Sequence, residues 1–75
     1  MRVTTELYGT EFCHLCDEAE AIIREIGAAA IQIDIAEDEE LFEKYGVRIP
    51  VLRRVDTGSE LGWPFDAAAV ERFLS

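Results

Sequence analysis

Apolar and polar positions change period along this chain, and each change marks an element. The opening run Arg2-Val3-Thr4-Thr5-Glu6-Leu7-Tyr8 is rich in β-branched and aromatic residues and stops at Gly9-Thr10, the composition of a strand ended by a turn. From Cys13 the apolar positions become Leu15/Cys16, Ala19, Ile22/Ile23 and Ile26, with Glu18, Glu20, Arg24 and Glu25 mostly opposite. That spacing is one face of a helix, and Gly27 is placed to stop it. Ile31, Ile33 and Ile35 then alternate with Gln32 and Asp34, which predicts a second strand with a single apolar face. The run from Asp38 to Tyr45 starts with carboxylates, has Lys44 near its end and Gly46 beyond. This charge order matches the macrodipole of a short helix, and its acidic positions form a solvated face.

Val47-Arg48-Ile49 leads to Pro50, followed by Val51-Leu52-Arg53-Arg54-Val55, the turn Asp56-Thr57-Gly58-Ser59, and a short Glu60-Leu61-Gly62. The pattern predicts a β-hairpin with a four-residue connection. Asp66 is placed to cap a helix over 67–74, Phe65 and Val70 to staple its start, and Val70, Phe73 and Leu74 to face the core. The order βαβαββα begins with a βαβ unit, whose strands run parallel. Helices before, between and after the strands can cover both faces of a four-stranded sheet, so the expected fold is an α/β protein, a three-layer α/β/α sandwich, in one domain spanning 1–75.

Composition narrows the function classes. The chain has 75 residues, 49% of them apolar and 31% charged, the balance of a folded globular domain. Seven Lys and Arg against 16 Asp and Glu give a net charge of −9, a field that repels polyphosphate, so nucleic acid and anionic membrane are excluded as partners. No apolar run approaches a membrane span and the first residues lack the apolar core of a secretory signal, which makes the cytoplasm the expected location; a monomer is the expected state.

Both cysteines of the chain lie in Cys13-His14-Leu15-Cys16, where the first strand hands over to the first helix. A thiol at a helix N-terminus faces unsatisfied backbone N–H groups and the positive end of the dipole, which favour thiolate. A second thiol three residues on lies on the same turn and can attack a mixed disulfide formed at the first. Dithiol redox chemistry, with Cys13 as nucleophile and Cys16 as resolving thiol, is therefore the leading reading. A metal site has too few ligands, since only His14 is added to the two thiols and it points elsewhere on the turn. A pair of inert buried cysteines explains Cys16 on the apolar face but not Cys13 at the helix entrance.

The chain resembles the glutaredoxin and thioredoxin families, most closely short bacterial glutaredoxin-like proteins of uncertain substrate. The resemblance covers nearly the whole length and is carried by Leu7-Tyr8 running into Cys13-His14-Leu15-Cys16, by Arg48-Ile49-Pro50-Val51, and by Gly62-Trp63-Pro64-Phe65-Asp66. It implies a thioredoxin-like fold with a four-stranded mixed sheet in the order 4-3-1-2, the third strand antiparallel to the others. It also implies thiol-disulfide oxidoreductase activity on protein disulfides or glutathione mixed disulfides, with no metal or organic cofactor and glutathione at most a co-substrate. A non-catalytic interaction module built on the same fold is the alternative.

The residues alone leave Pro50 open between a cis proline and a trans start of an edge strand. The resemblance implies cis, with the Ile49 amide and carbonyl turned outward to pair with a bound peptide or glutathione. Three departures from the glutaredoxin pattern stand out: His14-Leu15 between the cysteines, Arg48-Ile49 before the proline, and Thr10-Glu11-Phe12 where those proteins carry a lysine. Glu11, Asp17 and Glu18 oppose the thiolate that the helix end favours. Two substitutes for the lost cation are expected: Arg48 for a substrate carboxylate, and the amides near Asp66 for the γ-glutamyl carboxylate of glutathione, with Asp66 accepting its ammonium. His14 is either a cation beside the thiols or a solvated spacer. Tyr8 and Phe12 are candidates to flank the thiols, and Trp63-Pro64 to shape the entry to the last helix, with a place for Trp63 at the border of the substrate groove as the alternative.

Overall fold

A computed structural model describes residues 4–11 and 13–75. The expected strand start at Arg2 and Val3, and Phe12 as a flank of the thiols, lie outside the described residues. The chain order is β1 (Thr5–Gly9), α1 (His14–Glu25), β2 (Ile31–Asp34), a 3₁₀ turn (Ile35–Glu37), α2 (Glu39–Tyr45), β3 (Val51–Arg54), β4 (Glu60–Gly62) and α3 (Ala67–Leu74). The sheet order is β2-β1-β3-β4. β1 and β2 are parallel, while β3 is antiparallel to both β1 and β4, with Tyr8 beside Ile33 on one side and Val51 on the other. This is the thioredoxin-like 4-3-1-2 sheet that the sequence resemblance implies.

Period-two alternation along the two inner strands divides the core. Leu7 and Leu52 face α1 and α3 and pack with Ala19, Ile23, Phe65 and Val70. Tyr8 and Val51 face the other way and pack with Ile35 and Tyr45 of the α2 side. The three layers are therefore α1 and α3, the sheet, and α2. Each fully buried aliphatic side chain here contributes about 1.5–3 kcal/mol, against about 0–1 kcal/mol for an exposed ion pair such as Arg24–Glu20. Apolar burial decides the architecture, and the charges decorate it.

Local chemistry sets the ends of the elements. α1 closes with Gly27 at φ 78°; the Gly27 N–H donates to the Arg24 carbonyl at 3.0 Å and the Ala28 N–H to the Ile23 carbonyl at 3.1 Å, the paired bonds of a Schellman ending. Asp38 caps α2 by accepting the Glu40 and Leu41 N–H groups at 2.9 and 3.2 Å. Arg54 ties the hairpin to the end of α3 by donating to the Phe73 carbonyl at 2.9 Å, a cation on otherwise unpaired helix carbonyls.

Two expectations change. The second strand stops at Asp34, because the Asp34 carboxylate accepts the Ala36 N–H at 2.9 Å and turns the chain into the 3₁₀ turn. Ile35 is still fully buried, whereas Ile31, on the edge strand, is 55% exposed. The hairpin connection is five residues, 55–59, between β3 ending at Arg54 and β4 starting at Glu60; Val55 donates its N–H to the Thr4 carbonyl at 3.0 Å, on the β1 side and away from β4.

Candidate functional site

Cys13 is the N-cap of α1, with extended backbone at φ −90° and ψ 107°. Its sulfur accepts the Cys16 N–H at 3.2 Å, and its carbonyl accepts the Asp17 N–H at 3.1 Å to begin the helical ladder. A sulfur thus stands where a capping oxygen usually stands, against the unsatisfied amides of the first turn. A thiolate there gains from the same N–H group and from the helix dipole. Cys13 is joined to Cys16 in a disulfide with a Cα–Cα distance of 5.2 Å. Cys13 is half-buried and Cys16 is buried on the core side of the helix. In the reduced protein Cys13 is expected to be alkylated many times faster than Cys16 at neutral pH. Peptide mapping of iodoacetamide-treated protein at short times checks this, and equal labelling contradicts it.

The floor of the site comes from the strands. Gly9 ends β1 beneath Cys16: a Cβ at Gly9 would lie 2.7 Å from the Cys16 sulfur. Tyr8 pairs with Val51, so continuing the register by one residue puts Pro50 beside Gly9. Pro50 is fully buried and its bond to Ile49 is cis, the isomer the resemblance implied. The Pro50 carbonyl accepts the Trp63 N–H at 3.2 Å. Trp63, whose bond to Pro64 is also cis, meets Phe65 edge-on with ring centroids 5.0 Å apart. Trp63 thereby shapes the entry to α3, one of the roles its sequence position suggested.

The other sequence candidates are placed less freely than expected. Ile49 donates its N–H to the Tyr45 carbonyl at 3.1 Å. The expected two-sided pairing of Ile49 with a peptide is corrected to one side, because the amide is already used; among the described residues no backbone N–H donates to its carbonyl. Arg48 is not a free cation: its guanidinium lies 3.4 Å from Glu60 and 5.6 Å from the centre of the Tyr45 ring. Asp66 caps α3 by accepting the Ala69 N–H at 2.8 Å, leaving the amides earlier in that turn behind a carboxylate. His14 is exposed, with Nε2 3.8 Å from Glu18 on its own helix.

Behind the Arg48–Pro50 loop stands a polar and aromatic support that sequence reasoning missed. Tyr45, 1% exposed, stacks on Tyr8 with centroids 4.5 Å apart and planes 12° from parallel, and its hydroxyl donates to Glu60. Burial first, then the Glu60 carboxylate, raises the Tyr45 phenol above its ordinary pKa. The Tyr45 hydroxyl, helped by Lys44 and Arg48 and opposed by burial, holds Glu60 below the ordinary carboxylate range. Gly9 was also misread, as part of a turn; the signal for it was a glycine inside a strand pattern, which marks close backbone approach. An open groove of about 320 Å³ runs between β1, α1 and β2, bordered by Gly9, Glu11, Cys16, Asp17, Glu20 and Asp34. None of Arg48, Ile49, Pro50 and Asp66 lines it.

Residues 4–75 match the family model of the glutaredoxin-like domain (DUF836). The chain belongs to this glutaredoxin-like family. The crystal structure of protein XcR50 from X. campestris is similar at 38% identity over 93% of each chain, with a TM-score of 0.86. The solution structure of Ne2328 from Nitrosomonas europaea is similar at 31% identity over 100% of this chain and 94% of that one, also with a TM-score of 0.86. No curated protein matches the chain. A cysteine pair at the helix entrance of a glutaredoxin-like domain is consistent with redox activity. Among the described residues no group of three or more His, Cys, Asp or Glu is arranged to hold a metal ion, and no helix is long and apolar enough to cross a membrane.

Proposed function

We propose that the protein is a thiol-disulfide oxidoreductase that reduces protein disulfides. The observation that carries this reading is the asymmetry of the pair: Cys13 caps the helix at the surface and Cys16 is buried one turn behind it. In the reduced protein the Cys13 thiolate attacks one sulfur of a substrate disulfide. That S–S bond breaks, its electron pair leaves on the second sulfur, and that sulfur takes a proton from solvent. Cys16 then loses its proton and attacks the Cys13 sulfur, the bond from Cys13 to the substrate breaks, and the remaining substrate thiolate departs. Two electrons and two protons pass from the dithiol to the substrate, and an internal Cys13–Cys16 bond remains. The two sulfurs carry both electrons, so the proposed reaction uses no metal or organic cofactor and runs on a monomer in a reducing compartment such as the cytoplasm.

Protein disulfides are favoured over glutathione on two grounds. The groove beside Cys16 is bordered by the carboxylates of Glu11, Asp17, Glu20 and Asp34, which repel the carboxylates of glutathione. The cation expected to collect glutathione's carboxylates is held by Glu60 instead, and the net charge of −9 repels an anionic tripeptide. Glutathione is expected to bind with a dissociation constant on the order of millimolar and to bind better as salt screens the field. NMR titration of reduced glutathione into Cys16→Ser protein at two ionic strengths measures both, and micromolar binding with shifts at Arg48, Ile49 and Asp66 contradicts the preference. The activity itself is tested by dithiothreitol-driven insulin reduction, in which the protein should shorten the lag before turbidity. An interaction module would leave the lag unchanged.

A further inference from the structure

At Gly9 the residue type is set by a neighbour that occupies the place of a side chain. It lies within β1, in register with Asp34 of β2, where glycine weakens a strand and gives nothing to the core. The glycines with positive φ are Gly27 and Gly58, so backbone conformation does not call for glycine at position 9. Space does: a Cβ there would lie 2.7 Å from the Cys16 sulfur and 3.2 Å from the Cys16 Cβ. The first distance is far inside contact range, and the second is also tight.

We propose that Gly9 is a positioning residue for the redox couple, its missing side chain being the seat of the Cys16 sulfur in the disulfide; this rests on the dithiol reading above. The two redox states differ in how they meet a methyl group at that seat. In the disulfide the Cys16 sulfur is tethered to Cys13 and cannot turn away. In the dithiol it rotates about its Cα–Cβ bond to another staggered position. A methyl group therefore opposes the disulfide more than the dithiol. Any general weakening of β1 is common to both states and cancels in their equilibrium. Resolution feels the same obstacle, since the Cys16 sulfur has to enter that seat to reach Cys13. The first attack, at the outer sulfur of Cys13, does not.

The test compares wild-type and Gly9→Ala protein equilibrated with mixtures of reduced and oxidised dithiothreitol, the disulfide fraction being read by alkylation and mass spectrometry. The Gly9→Ala couple is expected to shift toward the dithiol by about tenfold or more, which is about 30 mV for two electrons, while Cys13 keeps its alkylation rate. An unchanged equilibrium overturns the proposal. Thermal melts of Gly9→Ala in wild-type and Cys16→Ala backgrounds add a second arm. The methyl group should cost clearly less stability once the sulfur is absent, and an equal cost, or failure to fold in both backgrounds, overturns the proposal. A wild-type pair that does not equilibrate with dithiothreitol refutes the dithiol reading itself. A normal wild-type couple that the methyl group leaves unmoved refutes only the role of Gly9.

Discussion

Cys16→Ser protein, reduced and mixed with a disulfide substrate, is expected to accumulate as a mixed disulfide on Cys13, and Cys13→Ser protein to lose exchange entirely. The difference follows from position. Cys13 stands at the surface, its sulfur accepting an amide of the first helical turn, so it is both reachable and biased toward thiolate. Without Cys16 the first attack still goes to completion, but a serine hydroxyl cannot displace the bound substrate, and the adduct persists until an external thiol removes it. Without Cys13 the remaining sulfur is buried against Gly9 and the helix, out of reach of a protein disulfide. Intact-mass spectrometry with peptide mapping reads the adduct and its site. Equal trapping in the two variants, or an adduct on Cys16, would reverse the assignment of roles.

The second large effect belongs to Tyr45, which supports the site without touching the sulfurs. Tyr45→Ala removes a buried ring stacked on Tyr8, a hydrogen bond to Glu60, and the aromatic face beneath Lys44 and Arg48. Losing a buried aromatic side chain of this size costs about 3–5 kcal/mol. A chain of 75 residues holds a total of only about 4–11 kcal/mol, at roughly 0.05–0.15 kcal/mol per residue. The melting temperature should therefore fall by tens of degrees, or the variant should fail to fold at 37 °C. Because the Tyr45 carbonyl receives the Arg48 and Ile49 N–H groups at 2.8 and 3.1 Å, the loop before Pro50 should loosen with it. A loss below about 1 kcal/mol would mean that Tyr45 is not a pillar of the α2 side.

Tyr45→Phe isolates the hydroxyl and gives the pH dependence its sign. The folded Glu60 carboxyl lies below its ordinary range, chiefly through the Tyr45 hydroxyl. Its stabilisation is therefore present above the ordinary carboxylate pKa and is lost as pH falls through the lowered value. The folded Tyr45 phenol lies above its ordinary range, chiefly through burial. That stabilisation is present below the ordinary phenol pKa and is lost as pH rises through the raised value. Tyr45→Phe should lower neutral-pH stability by about 1–2 kcal/mol and make both flanks of the stability-against-pH curve shallower. Denaturant melts between acid and alkaline pH read all three changes.

These two sites differ in how far they could be read from sequence. Cys13 and Cys16 were legible because both the helix start and the spacing are local, and Asp66 because a cap is written within four residues. The apolar period of the first helix put Ala19 and Ile23 on its packed face, and that of the last put Val70 in the core, where the structure has them. Ile35 kept its burial but changed element, since the competing bond from Asp34 is also local and outweighs strand propensity there. What was not legible depends on partners far apart in the chain. Arg48 looked free until Glu60, twelve residues on, was brought beside it across the hairpin. Tyr45 met Tyr8 only through the packing of α2 on the sheet. Gly9 read as a turn because the sulfur that needs its space arrives with the docking of α1.

A single-turnover reaction decides whether the pair works as a dithiol. Fully reduced wild-type protein is mixed with an excess of a small reporter disulfide, and released thiol is counted against protein while mass spectrometry follows the protein. Two reporter thiols per chain, with the protein ending in the Cys13–Cys16 disulfide and passing through an adduct on Cys13, is the result expected here. One thiol per chain with a stable adduct and no internal disulfide would contradict it, because Cys16 would then not be a resolving thiol.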